Sequence, residues 1–152
     1  MIRVKTDKYL GNIISTDGKN DENVKSRAAS ALGSISSIMN ILNEVSLGSY
    51  FFKIGFLLRQ TIFLSKLLFS SEIWVNLTKK NIEDLEIVDR LLIKRIFKTP
   101  TSTSTKAIHL ESGTIPITFL IRAKRIMYSL LAQIWRNLLK KLKNWTQMKP
   151  SS

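Results

Sequence analysis

Asn20-Asp-Glu-Asn-Val-Lys-Ser-Arg-Ala-Ala-Ser-Ala-Leu-Gly-Ser-Ile-Ser-Ser-Ile-Met-Asn-Ile-Leu42 decides the fold class. Val24, Ala28, Ala31, Ile35, Ile38 and Leu42 recur at steps of three and four, the spacing of one apolar helix face. Asn20 or Asp21 can cap the start, and Glu22 suits the positive end of the helix dipole. The other positions are small: Ala29, Ser30, Gly33, Ser34, Ser36 and Ser37. Gly33 alone costs about 1 kcal/mol relative to alanine inside a helix. That face therefore answers either to close helix packing or to an approaching backbone, protein or nucleic acid.

Towards the C-terminus, Gly48-Ser49 breaks the chain before a second helix, Tyr50–Ser70. Its near-continuous apolarity predicts burial on most sides, with a thin wet stripe at Arg59 and Lys66. It does not read as a membrane span, because Lys53, Arg59 and Lys66 would cost up to about 2.5–3.5 kcal/mol each near a helix centre in lipid. Thr78 caps a third helix, which stops before Thr99-Pro100 and buries Ile82, Leu85, Val88, Leu92 and Ile96. Its carboxylates Glu83, Asp84, Glu86 and Asp89 suggest metal or acid–base chemistry at first sight. Lys80→Asp84 and Glu86→Arg90 are i,i+4 pairs, however, so a solvated face is predicted. Pro100–Thr105 is a flexible connector. A short helical turn through His109 and Glu111 follows, ending at Gly113, and His109 is expected to pack or cap.

On the N-terminal side, Lys8–Ile14 reads as a short strand running into a tight turn at Asp17-Gly18. Its hairpin partner must come from Met1–Asp7 or from sequence outside the chain. The expected architecture is mainly α: an N-terminal β-strand or hairpin followed by a bundle of about four helices. The segments are 1–19 (strand and turn), 20–98 (helices), 99–105 (Ser/Thr linker) and 106–152 (basic helical region).

The 152 residues carry 24 Lys+Arg against 11 Asp+Glu, a net charge of +13, with one His and no Cys. Disulfides, thiolate zinc sites, iron–sulfur clusters and a cysteine nucleophile are excluded. A single histidine excludes a multi-histidine metal centre and leaves one possible imidazole base; composition argues for binding over catalysis, and no cofactor, metal or catalytic residue is expected. The cation excess is local. Residues 1–50 hold six basic and five acidic side chains, 51–100 hold nine and five, and 101–152 hold nine and one. The last helix, from Pro116 to about Asn144, concentrates it. Arg122, Arg125, Ser129, Gln133, Arg136, Lys140 and Lys143 lie along one face. Ala123, Met127, Leu130, Leu131, Ile134, Leu138 and Leu142 occupy the other, with the stems of Lys124 and Lys141 extending outward. Arg122 to Lys143 rises about 32 Å, close to one duplex turn of about 34 Å. A merely solvated face mixes signs, and this one has no acid. A polyanion is the indicated partner. The rival is an acidic membrane surface, which a basic amphipathic helix with Trp135 and Trp145 also suits. Met1–Tyr9 has no secretion-signal pattern, so an intracellular location, cytoplasm or nucleus, is expected.

Tyr9-Leu-Gly-Asn-Ile-Ile-Ser-Thr-Asp-Gly-Lys-Asn-Asp21 resembles the segment after the palm in reverse transcriptases of non-LTR (LINE-type) retrotransposons. So do Glu72-Ile-Trp-Val-Asn-Leu-Thr-Lys-Lys-Asn-Ile-Glu-Asp-Leu-Glu-Ile-Val-Asp89, Leu91-Leu-Ile-Lys-Arg-Ile96, and Glu111-Ser-Gly-Thr-Ile-Pro116 with Arg122–Arg125. The likeness runs in order from about Lys8 to about Tyr128. It implies that Tyr9, Leu10 and Gly11 lie near a primer end and that the helices from Asn20 onward form a thumb along a template–primer duplex. Backbone contacts would come from Lys8, Lys19, Lys25 and Arg27 near the grip, and from Arg122, Arg125, Arg136, Lys140 and Lys143 on the last helix. The family's polymerase chemistry needs palm aspartates holding two magnesium ions, including an Asp-Asp pair. This chain has no Asp-Asp pair. The expectation is a non-polymerising fragment, its start falling after the palm, that binds nucleic acid. The further alternative is a retroelement relic without function.

Overall fold

The computed structural model describes residues 6–9, 11–44, 48–74 and 76–147. It opens with β1 (Thr6–Tyr9) and β2 (Asn12–Ser15), paired antiparallel with Thr6 opposite Ser15 and Tyr9 opposite Asn12. A tight turn between paired strands needs left-handed backbone, and Gly11 supplies it at φ +80°. The stretch expected to be one strand from Lys8 to Ile14 is therefore folded back on itself. Its partner does come from the N-terminal residues, as Thr6 and Asp7. Asp17-Gly18 makes a separate turn, closed by the Gly18 N–H on the Ser15 carbonyl at 3.1 Å, and it delivers the chain to the first helix.

Helix α1 (Asp21–Glu44) buries Val24, Ala31, Ile35, Ile38 and Leu42, the stripe that periodicity predicts. Its small residues Ala29, Ser30, Gly33, Ser36 and Ser37 face solvent, and a Cβ placed on Gly33 would meet nothing within 4 Å. Ser34 is the exception, buried with its hydroxyl donating to the Ala31 carbonyl at 2.6 Å, so packing accounts for that position and not for the five exposed ones. The close approach occurs elsewhere: a Cβ on Gly55 would lie 3.0 Å from Ile96 Cγ2.

The apolar second segment is one continuous rod made of α2 (Phe51–Leu58), a π-turn (Arg59–Phe63) and α3 (Leu64–Leu67). The Leu64 N–H reaches back to the Arg59 carbonyl, the five-residue span that defines the π-turn. The expected wet stripe is half wrong. Lys66 is exposed, but Arg59 is only 6% exposed and forks onto Asp89 through Nε–Oδ1 at 2.8 Å and Nη2–Oδ2 at 2.7 Å. Asp89 is 1% exposed, so it too leaves the solvated face predicted for it. Each charge is tolerated inside because the other satisfies it with two charge-assisted bonds.

Helix α4 (Lys79–Phe97) starts on Thr78, whose hydroxyl accepts the Asn81 N–H at 3.1 Å, as the capping rule expects. Leu85, Val88, Leu92 and Ile96 are buried, joined by Ile93. Glu86 and Arg90 bond other helices rather than each other. Glu86 accepts from Thr118 at 2.6 Å, and Arg90 donates to Thr105 at 2.7 Å. The short α5 (Thr105–Ser112) ends at Gly113, φ +61°. There His109 Nδ1 lies 2.9 Å from the Thr114 hydroxyl, which also meets the Ser112 hydroxyl at 2.6 Å. His109 closes a helix end, as expected.

Helix α6 (Ile117–Gln147) has 31 residues, of which Ile117 and Ile121 are buried in the core of α1, α3 and α4 and half-buried Leu120 packs against it. Phe63, Leu67, Leu68 and Trp74 complete that core. Each such side chain contributes about 1.5–3 kcal/mol by leaving water. The apolar face opposite the cationic edge of α6 is largely open to solvent. Met127, Leu130, Leu131, Ile134, Leu138 and Leu142 are each about half exposed, and Trp135 is 63% exposed. From Ile126 to Asn144 every side chain is exposed except half-buried Ala132.

Candidate nucleic-acid interface

The segment Leu68–Trp74 separates two groups of cations and is tied to both. On the hairpin side, Asn12 donates to the Ser70 hydroxyl at 2.9 Å, and the Arg27 guanidinium sits 4.3 Å over the Phe69 ring. Arg27 also donates to the Gly11 carbonyl. On the α6 side, Arg125 donates to the Trp74 carbonyl, and Lys124 donates to the Leu68 carbonyl at 3.0 Å while facing Glu72 at 3.9 Å. These bonds fix the hairpin and the root of α6 relative to one connector.

They also sort the predicted contacts by availability. Arg27 and Arg125 are half-buried and engaged with backbone carbonyls. Partial burial pulls the Arg27 pKa below the ordinary guanidinium value, although an arginine stays cationic at neutral pH. Lys8, Tyr9, Lys19 and Lys25 are exposed around the hairpin and the first turns of α1. Lys19 lies 3.3 Å from Asp17, so its charge is partly matched. Leu10 lies outside the described residues. Gly11 has a reason internal to the chain: besides its positive φ, a Cβ there would come within 3.3 Å of Arg27 Nη2.

Along α6, Arg122, Arg136, Lys140 and Lys143 are all exposed. Arg136 leans back on the Ala132 carbonyl at 3.3 Å, and Arg122 lies 6.0 Å from the Phe119 ring centre, so both keep charge facing water. No carboxylate occurs in α6. The predicted stripe therefore stands as an acid-free cationic edge, with Arg125 turned inward as its anchor. Lys124 was expected to reach outward and instead turns onto Glu72 and the connector.

Beside the hairpin is a cavity of about 200 Å³ lined by Asn12, Lys19, Asn23 and Trp74. Two buried groups at it, Asn23 Oδ1 and Trp74 Nε1, have no hydrogen-bond partner. Local periodicity does not mark Asn23 or Trp74, because the fold alone brings residue 74 under the hairpin. Among the described residues no group of His, Cys, Asp and Glu is placed to hold a metal ion. No described helix is long and apolar enough to cross a membrane. No protein-family model, curated protein or solved structure matches the chain.

Proposed function

We propose that this chain is related to the thumb region of non-LTR retrotransposon reverse transcriptases, and that it binds the backbone of a template–primer duplex without reading sequence and without polymerising. The acid-free edge of α6 supports this best: Arg122, Arg136, Lys140 and Lys143 are exposed along a helix holding no carboxylate. Phosphate neutralisation asks only for cations at suitable spacing, and it gives affinity without sequence information. Arg125 and Arg27 act behind the edge, holding α6 and the hairpin to the connector. Lys8, Tyr9, Lys19 and Lys25 offer a second contact zone at the hairpin. Such a partner places the chain in cytoplasm or nucleus.

The test is titration with an RNA–DNA hybrid across a salt series. Four stripe contacts give a log–log slope of about −3.6, from roughly −0.9 per phosphate. Replacing Arg136 and Lys140 with glutamine should lower that slope by about two and weaken all sequences alike. A slope near zero sinks the reading. Exposed Trp135 on the apolar side of α6 favours a second reading, an acidic lipid surface. Tighter binding to anionic vesicles than to the hybrid would put that reading first, and lack of a cooperative unfolding transition would favour the relic.

A further inference from the structure

The apolar face of α6 is continuous but changes shape along its length. At its root it walls a groove of about 600 Å³ against the second rod, lined by Leu64, Leu68, Leu120, Ala123, Met127 and Leu131. Further out the same face is a ridge open to solvent, where Ile134 is 54%, Trp135 63%, Leu138 45% and Leu139 51% exposed. A straight helix cannot fold its own ridge into its own groove. A second copy running antiparallel can lay its ridge there, and the two-fold axis makes the exchange reciprocal.

We propose that the chain forms an antiparallel dimer through α6, crossing near Leu131, with the outer half of each helix seated in the groove at the root of the other. In that register Met127 faces the second copy's Trp135, a favourable sulfur–aromatic pairing. Small Ala123 faces the second copy's larger Leu139, so bulk meets space. Removing this face from water takes roughly 600–800 Å² from each copy, near the approximately 800 Å² per partner of a standard stable interface. A parallel pair would set groove against groove and leave both unfilled.

Charge does not oppose the arrangement. At about 100° per residue the Arg122, Arg136 and Lys140 edge points almost opposite to the apolar face. The two edges therefore end on opposite outer sides, roughly 20 Å apart, well beyond the Debye length of about 8 Å at physiological salt. Lys124, the one cation at the groove, is already matched by Glu72 and the Leu68 carbonyl. An antiparallel pair also sets opposite helix-dipole ends side by side. The dimer uses none of the proposed phosphate contacts, so it stands or falls independently of them.

Sedimentation equilibrium of the full chain over a concentration series should give twice the 17.4 kDa chain mass at micromolar protein. Leu138→Glu, on the ridge and away from the core, should weaken the dimer by roughly 30-fold or more, while Arg136→Glu on the opposite edge leaves it intact. Because the chain has no cysteine, Leu131→Cys should close an intermolecular disulfide on oxidation and Gln133→Cys, on the outer arc, should not. A 17.4 kDa mass at every concentration overturns the proposal, and vesicle binding by that monomer would assign the face to lipid. A dimer insensitive to Leu138→Glu, or equal cross-linking of the two cysteine variants, overturns it too.

Discussion

Arg59 and Asp89 are thirty residues apart and meet inside the core as a bidentate pair. Burial pushes the Asp89 carboxyl up, and the two Arg59 hydrogen bonds oppose that rise. Removing one partner leaves a bare buried charge, which outweighs whatever the intact pair contributes. Arg59→Met should cost about 3–5 kcal/mol in urea unfolding, and adding Asp89→Leu should recover most of it. Equal losses from the single and double variants would contradict this. Neither residue betrays its role in sequence, because Asp89 sits among Glu83, Asp84 and Glu86 and Arg59 looks like a helix's wet position. Asp17 shows the opposite displacement. The Ser15 hydroxyl, then the Lys19 backbone N–H, hold its carboxyl at about 2 against an ordinary 3.8. A pKa depressed by folding stabilises above the unfolded value. The contribution is therefore whole above about pH 4 and lost as pH falls towards 2. Ser15→Ala should return the Asp17 midpoint towards 3.8 in a carboxyl-carbon NMR titration. An unchanged midpoint would remove the hydroxyl as the cause.

Among the elements, α1 and α4 behave as their periodicity says, since each apolar stripe is covered by the other and by the second rod. Helix α6 has as clear a stripe, yet only its first turns are covered. Periodicity reports which face is apolar, and it carries no information on what lies against it. Ile121→Ala should cost about 2–5 kcal/mol, as for a filled core position. Leu138→Ala, measured where the chain is monomeric, should stay within about 0.5 kcal/mol. A large cost for Leu138→Ala in a monomer would mean that its half-exposed side chain is covered in solution. The hairpin was legible as strand and turn residues but not as a register. Two glycine turns, at Gly11 and Gly18, compete for the same role, and only pairing of β1 with β2 decides between them.

For the whole molecule, a net charge of +13 with nine cations against one acid after residue 100 means self-repulsion that salt relieves. The denaturation midpoint should rise as salt shortens the Debye length from about 30 Å at 0.01 M to about 8 Å at 0.15 M. A falling midpoint would show that attractive pairs dominate instead. The sequence by itself determined that the chain is mainly helical with a β-strand or hairpin in front, where the Thr78 cap falls, and that one edge of the last helix is cationic and acid-free. Those properties are local, set by spacing, capping and charge within a few turns. Tertiary structure alone decided that Arg59 and Asp89 go inside, that Arg27, Lys124 and Arg125 bind the Leu68–Trp74 connector, and that the apolar face of α6 stays open. Each of these depends on which distant residue arrives at a site, and a side chain's role is fixed by that neighbour as much as by its own chemistry.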